Sequence, residues 1–335
     1  MKRANAKHLP RIHGLHATHC LYLVALVIAP CLCACAQVDT EQVNVIPPPS
    51  LLPASSSASL IRSNVDLVLV NVTVLDRLDR AVTGLQQADF MVQDNNRARA
   101  VKYLSSIDEP ASLVVVFDAS ASMATKMDEA KEAVKELTKT SNPKDQLAMI
   151  VINSSPYVAL HFDDPVDNLQ LAIDGIQPHG STALWDGIYL GVQELRLGHN
   201  RRKAIIVISD GGDNHSRYTE SELKSVLEES DAEMYAIGIF DSFVHTFEEK
   251  LGPSQLDGLA SVTGGRLFSL RDVRELPRAM TQISSELRNQ YVLGYYAGNQ
   301  DRDGKWHRLK VLLSGQASAA KLRLYSKKGY YASAQ

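Results

Sequence analysis

The chain has 335 residues, of which 45% are hydrophobic and 22% charged. That is a globular composition, long enough for more than one domain of about 100–200 residues. The net charge of −3 becomes −7 without the first 36 residues, which hold Lys2, Arg3, Lys7 and Arg11 and no acid. A mildly acidic surface argues against a nucleic-acid binder.

The basic start leads into an apolar run, Leu21–Ala29, closed by Pro30. The run is far shorter than the roughly 20 residues that span a bilayer, so residues 1–36 read as a signal peptide. Two processing routes are open. Ala34-Cys35-Ala36 fits an A-x-A site, with cleavage before Gln37. Leu32-Cys33-Ala34-Cys35 resembles a bacterial lipobox, which would put a lipid and a membrane anchor on Cys35, although Cys33 is unusual inside one. Either route implies an exported protein of the periplasm, cell envelope or extracellular space. All four cysteines (Cys20, Cys31, Cys33 and Cys35) fall in this segment. The mature chain is therefore expected to have no disulfide and to rely on core burial.

Residues 37–63 carry PPPS and ASSSAS and read as a Pro/Ser-rich linker. From 64 to 108 the periodicity is that of strands: VDLVLVNVTVL alternates, and FMVQD and AVKYL are further short strands. The stretch 109–289 alternates strand and helix. LVVVF, Gln146–Ile152, AIIVI at 204–208 and MYAIGIF are apolar strands, Tyr157–Phe162 is a short edge strand, and Arg266–Leu270 is another short strand. Helices are expected over Lys126–Thr140, Leu169–Ile176, Ala183–Leu195, Glu220–Glu229, Leu256–Val262 and Val273–Arg288. All-apolar strands between helices predict an α/β class, doubly wound, with a mostly parallel sheet covered on both faces. Residues 290–335 return to strands: QYVLGYYAG, HRLKVLLS and KLRLYSK. About three strands on each side make no comfortable sheet alone, so the two flanks are expected to form one small β-sandwich-like domain.

In such a sheet, every loop that follows a parallel strand lies on the carboxyl edge, where ligands bind. LVVVF runs into Asp118, Ser120 and Ser122, and AIIVIS runs into Asp210-Gly-Gly-Asp213-Asn214. QPHGST sets Thr182 at the start of a helix. Two carboxylates and three hydroxyls form an all-oxygen set of low charge, which suits Mg²⁺, with Mn²⁺ or Ca²⁺ as alternatives. The plain alternative is local: Ser, Thr and Asp after a strand commonly cap helices, and Asp-Gly-Gly commonly turns. Three such loops on one rim favour the ion. Asp213 and Asn214 are read as turn residues in preference to hydrogen-bonding supports of the ion's ligands. Asp186 is read either as a loop-orienting hydrogen-bond acceptor or as part of a solvated helix face.

DASAS, GSTALWDGI and VISDGGDN resemble the three loops of the metal-ion-dependent adhesion site of von Willebrand factor type A domains. The resemblance covers about 111–289. It implies that Asp118, Ser120, Ser122, Thr182 and Asp210 form the ion site, with Ala119 where the family commonly has Gly. It also implies a last helix that shifts when the ion's shell changes. The flanks, AVTGLQQADF before and YVLGYY with GYYA after, resemble those of a bacterial secreted subgroup.

Enzyme motifs are scarce. There is no G-x-x-x-x-G-K-[ST], G-x-S-x-G or G-x-G-x-x-G, and SELK at 221–224 has no companion motif. His161, His179 and His215 lack transition-metal spacing. Trp185 and Trp306 are read as packing residues. The expected role is divalent-cation-dependent binding of a protein partner, with an acidic side chain of the partner completing the ion's shell, and no enzymatic activity. Two alternatives are a metal-dependent hydrolase with His179 or His215 as base, and a metal-free envelope scaffold.

Overall fold

The structure, a computed structural model, describes residues 67–334 apart from 166, 241–246, 299 and 300. The expected signal peptide 1–36, Cys35 and the linker 37–63 lie outside the described residues. Among the described residues, no helix is long and apolar enough to cross a membrane.

The chain opens with strands β1 (Leu67–Leu75), β2 (Phe90–Asp94), β3 (Arg97–Arg99) and β4 (Tyr103–Ser105). The α/β unit follows: β5 (Ala111–Asp118), α1 (Met127–Thr140), β6 (Gln146–Ile152), β7 (Tyr157–Leu160), α2 (Asn168–Gly175) and α3 (Leu184–Leu195). It continues with β8 (Arg202–Ser209), α4 (Glu220–Glu229), β9 (Glu233–Ile239), α5 (Phe247–Thr263), β10 (Leu267–Leu270) and α6 (Leu276–Arg288). The chain then returns to β11 (Tyr291–Tyr296), β12 (Trp306–Leu313), a short α7 (Gly315–Ala319), β13 (Arg323–Ser326) and β14 (Gly329–Tyr331).

The central sheet has the order β10-β9-β8-β5-β6-β7. Its pairs are parallel except at the β7 edge, which runs antiparallel to β6. Every residue of β5 is buried, because the strand has a helical layer on each face. Leu113, Val115 and Phe117 share a core with residues of α1, α2 and α6. Val114 and Val116 share the opposite core with residues of α3, α4 and α5. Full burial of such a side chain contributes about 1.5–3 kcal/mol, which outweighs the ~1–2 kcal/mol needed to order one residue's backbone. The central strand therefore provides a stiff platform for whatever follows its carboxyl end.

The flanks form two antiparallel sheets, β13-β1-β11-β4 and β14-β12-β2-β3. Each mixes strands from both ends of the chain. Leu67 to Val72 on β1 pair with Tyr296 to Tyr291 on β11, and Phe90 to Asp94 on β2 pair with Leu313 to Leu309 on β12. The inner faces meet in one core containing Val70, Val72, Val74, Phe90, Val92, Leu293, Tyr295, Leu309 and Val311. Each flank supplies four strands where about three were expected. The extra ones, β3 and β14, are three residues long, too short to show an alternation. The α5 helix also begins earlier than expected and carries Pro253 within it.

Candidate metal centre

Strand order places the rim. β5 neighbours β6 on one side and β8 on the other, so the connections diverge at β5/β8, the switch point at which a crevice opens. In the parallel register, Phe117 lies beside Ile208. One step further, Asp118 and Ser209 face each other, and Ser209 Oγ donates to Asp118 Oδ2 at 2.6 Å. The other Asp118 oxygen, Oδ1, accepts the Ser120 amide at 2.9 Å. Asp118 is wholly buried and, among the described residues, has no ion-pair partner. Burial pushes its carboxyl up to about 6. The Ser209 hydrogen bond opposes that rise, and the negative charge of Asp210 adds to it.

The hydroxyls form a relay. Ser120 Oγ lies 3.0 Å from Ser122 Oγ, and Ser122 Oγ donates to Asp210 Oδ1 at 2.8 Å. Lys126 Nζ donates to the second Asp210 oxygen at 2.8 Å. Four of the five expected residues, Asp118, Ser120, Ser122 and Asp210, thus stand in one group. Thr182 is held on the neighbouring loop. Its amide donates to Asn214 Oδ1 at 2.9 Å and its carbonyl accepts the Asn214 amide at 3.1 Å. Its hydroxyl makes no hydrogen bond to the other four among the described residues.

The loops are laced together by backbone. The Ala119 amide donates to Ile152 O, the His179 amide to Ala119 O, and the Ala121 amide to Gly180 O. Gly180 has φ +76°, and a Cβ there would lie 2.6 Å from Ser154 Oγ, so the second loop needs glycine at this turn. Ala119, where the family commonly has Gly, is fully buried without positive φ. Its methyl is tolerated.

Hydrogen bonds between the loops settle the readings of Asp213 and Asp186. Asp213 reaches across to cap α3, accepting the Leu184 amide at 2.8 Å and the Trp185 amide at 3.3 Å. Asp186 is buried and accepts the Arg217 and Tyr218 amides and Arg217 Nε, so of its two readings the loop-orienting one is what the structure shows. Burial works to raise its carboxyl, but those hydrogen bonds outweigh burial and leave it below the usual range. Ser209, Asn153 and Lys126, by contrast, carry no signal in the sequence. Only the β5–β8 register identifies Ser209, because a serine at a strand's end is otherwise unremarked. The imidazole of His161 sits against Glu194, and Trp185 is buried in the α3 core. Trp306 packs edge-on against Tyr331.

The residues fit a hard cation. The donor set is all oxygen, and its deepest carboxylate has no ion-pair partner among the described residues. A doubly wound sheet whose carboxyl rim gathers two aspartates and two serine hydroxyls, with Thr182 on the adjoining loop, defines an α/β module with its candidate ion site at the switch point. The chain belongs to the von Willebrand factor type A domain family, whose model matches residues 112–282. No curated protein matches the sequence.

Solved structures to which this chain is similar include a von Willebrand factor type A protein from Catenulispora acidiphila: 13% identity, TM-score 0.47, covering 82% of this chain and 75% of that one. Another is proximal thread matrix protein 1 from the mussel byssus with a zinc-occupied MIDAS motif: 20% identity, TM-score 0.46, covering 59% of this chain and 50% of that one. A third is the PilB minor pilin of Streptococcus sanguinis: 15% identity, TM-score 0.44, covering 55% and 63%. The chain thus spans about half of the thread-matrix chain and under two thirds of the pilin.

Proposed function

We propose that this protein is an exported, cell-envelope or extracellular binding module that takes a protein partner through a divalent cation. Asp118, Ser120, Ser122, Thr182 and Asp210 would hold the ion, and the all-oxygen set favours Mg²⁺, with Mn²⁺ or Ca²⁺ as substitutes. When bound, the ion supplies a positive point whose shell an acidic side chain of the partner completes. The chain's own residues prepare that point. Asp186 and Asp213 tie the third loop to α3, Asn214 ties it to Thr182, and the wholly apolar end of β5 keeps Asp118 from moving. The observation that carries the reading is Asp118, a buried carboxylate with no ion-pair partner among the described residues, held by the amide of Ser120, whose hydroxyl leads through that of Ser122 to Asp210.

Against hydrolysis with His179 as the base stands the state of that imidazole. Its Nδ1 lies 2.9 Å from the Gln177 carbonyl, which only a protonated nitrogen can satisfy. That leaves Nε2 to accept from Asn153 Nδ2 at 3.0 Å, so no lone pair stands free to activate water. The test is a pull-down from envelope extract with and without chelator, alongside calorimetry with Mg²⁺ and Mn²⁺. Capture that needs the ion and disappears in Asp118→Ala is the expected result. Capture indifferent to chelator, or no heat at millimolar metal, overturns the proposal.

A further inference from the structure

Lys126 stands where the 3-10 helix Ala121–Thr125 passes into α1. Its amide donates to Met123 O and its carbonyl accepts the Ala130 amide, so its backbone is held on both sides. Ser122 lies one helical turn earlier on the same segment. Together they bracket Asp210: Ser122 takes Oδ1 and Lys126 takes Oδ2, each at 2.8 Å. The side chains of Lys126 and Asp210 are only 12% and 3% exposed. A charge-assisted bond so far removed from water is strong and poorly screened. Asp118 shows the opposite condition, being buried with no ion-pair partner among the described residues.

Resting on the reading of the rim as a divalent-cation site, we infer that Lys126 is a tethered rival of the ion. Its ammonium holds Asp210, and it yields or shares that carboxylate when the site loads. Charge counting gives the consequence. Among the described residues, Asp118 and Asp210 with Lys126 carry −1, so that group with a divalent ion carries +1, whereas without Lys126 it would carry zero. Lys126 therefore weakens uptake of the ion and strengthens the loaded site's pull on an outside carboxylate. Ion and acidic partner then reinforce each other's binding, because each is favoured by the charge state the other creates. A unit charge about 4 Å from a divalent ion, even at the dielectric of water, alters affinity by at least roughly tenfold.

The experiment compares Mn²⁺ binding, by calorimetry and electron paramagnetic resonance, in the wild type, Lys126→Met and Lys126→Arg, with thermal unfolding in chelator as a check on folding. Lys126→Met should bind Mn²⁺ at least tenfold more tightly, and Lys126→Arg, which keeps the charge, should stay near wild type. In parallel, the Lys126 side-chain carbon signal of wild-type protein should shift on Mg²⁺ titration, a readout that needs no variant. Equal or weaker Mn²⁺ binding by Lys126→Met, or a Lys126 signal unmoved at saturating Mg²⁺, overturns the rival role while leaving the cation site intact. Failure of the wild type and both variants to bind any Mn²⁺ overturns both readings.

Discussion

Asp118 sits at the end of a wholly buried strand, where, among the described residues, a carboxylate has exchanged water for two hydrogen bonds and no counter-charge. Its carboxyl is raised to about 6, above the ordinary value near 4, so the folded metal-free state prefers the protonated form. That contribution to stability is fully present below the unfolded value and is lost as pH rises through about 6. Asp118→Asn should therefore stabilise the metal-free protein at pH 8 by up to about 2–3 kcal/mol and change little at pH 4, as read by urea unfolding at the two pH values. The same variant should abolish the rise in melting temperature that Mg²⁺ gives the wild type. A variant less stable than wild type at pH 8 would show that the carboxylate is held by something other than a missing cation. Neither the burial nor the isolation of Asp118 could be seen in DASAS, where an aspartate after a strand is as consistent with a turn.

Among the elements, α3 carries the second loop into the site, and its first turn is capped from the third loop by Asp213. Asp213→Ala should cost about 1 kcal/mol in urea unfolding, the usual value of a lost helix cap. It should also weaken Mn²⁺ binding, since Thr182 enters on that helix. A loss of stability with unchanged metal affinity would separate the cap from the site.

The flanking sheets hold a different titratable element. On β12, His307 Nδ1 meets Asp94 Oδ1 at 2.8 Å and Nε2 meets Asp303 Oδ1 at 3.2 Å. Tyr295 and Tyr330 donate to the other Asp94 oxygen. Burial works to lower the imidazole, but the bonds and charges of Asp94 and then Asp303 outweigh it, and the net direction is upward. A raised histidine stabilises fully below its unfolded value of about 6.5 and loses that contribution as pH climbs through the folded value. The urea midpoint should fall between pH 6 and pH 9, and His307→Gln should flatten that slope. This window lies above that of Asp118, so the two can be told apart.

Across the whole molecule, Arg266 joins the parts. Its guanidinium pairs with the buried Glu286 of α6 at 2.5 Å and with Asp79 of the β1–β2 connection at 3.5 Å. It also lies over the rings of Phe268 on β10 and Tyr325 on β13. Gln282 and Ser284 add bonds from α6 to Asp79 O and Thr140 O. The last helix is therefore tied both to the α/β unit and to the flank. Arg266→Leu should destabilise by about 3–5 kcal/mol, because a buried carboxylate is left unpaired. Arg266→Leu with Glu286→Leu should recover most of that loss in the same unfolding assay. No recovery would mean that the rings and Asp79, not Glu286, set the value of Arg266.

Local pattern carried far into this protein. Runs such as LVVVF and AIIVI declare buried parallel strands because nothing but two-sided burial accommodates them, and alternation in VDLVLVNVTVL declares a sheet with one face in a core. The order of three loops, DASAS, GST and SDGG, declared the family for the same local reason, since each motif is complete within a few residues. Tertiary structure alone decided the pairings between distant segments. It set the register that puts Ser209 against Asp118, Asp213 beneath α3, Lys126 on Asp210, and β1 beside β11 across more than two hundred residues. Each of these depends on which strands are neighbours and how they are aligned, and long-range contact leaves no periodicity in a chain read one residue at a time.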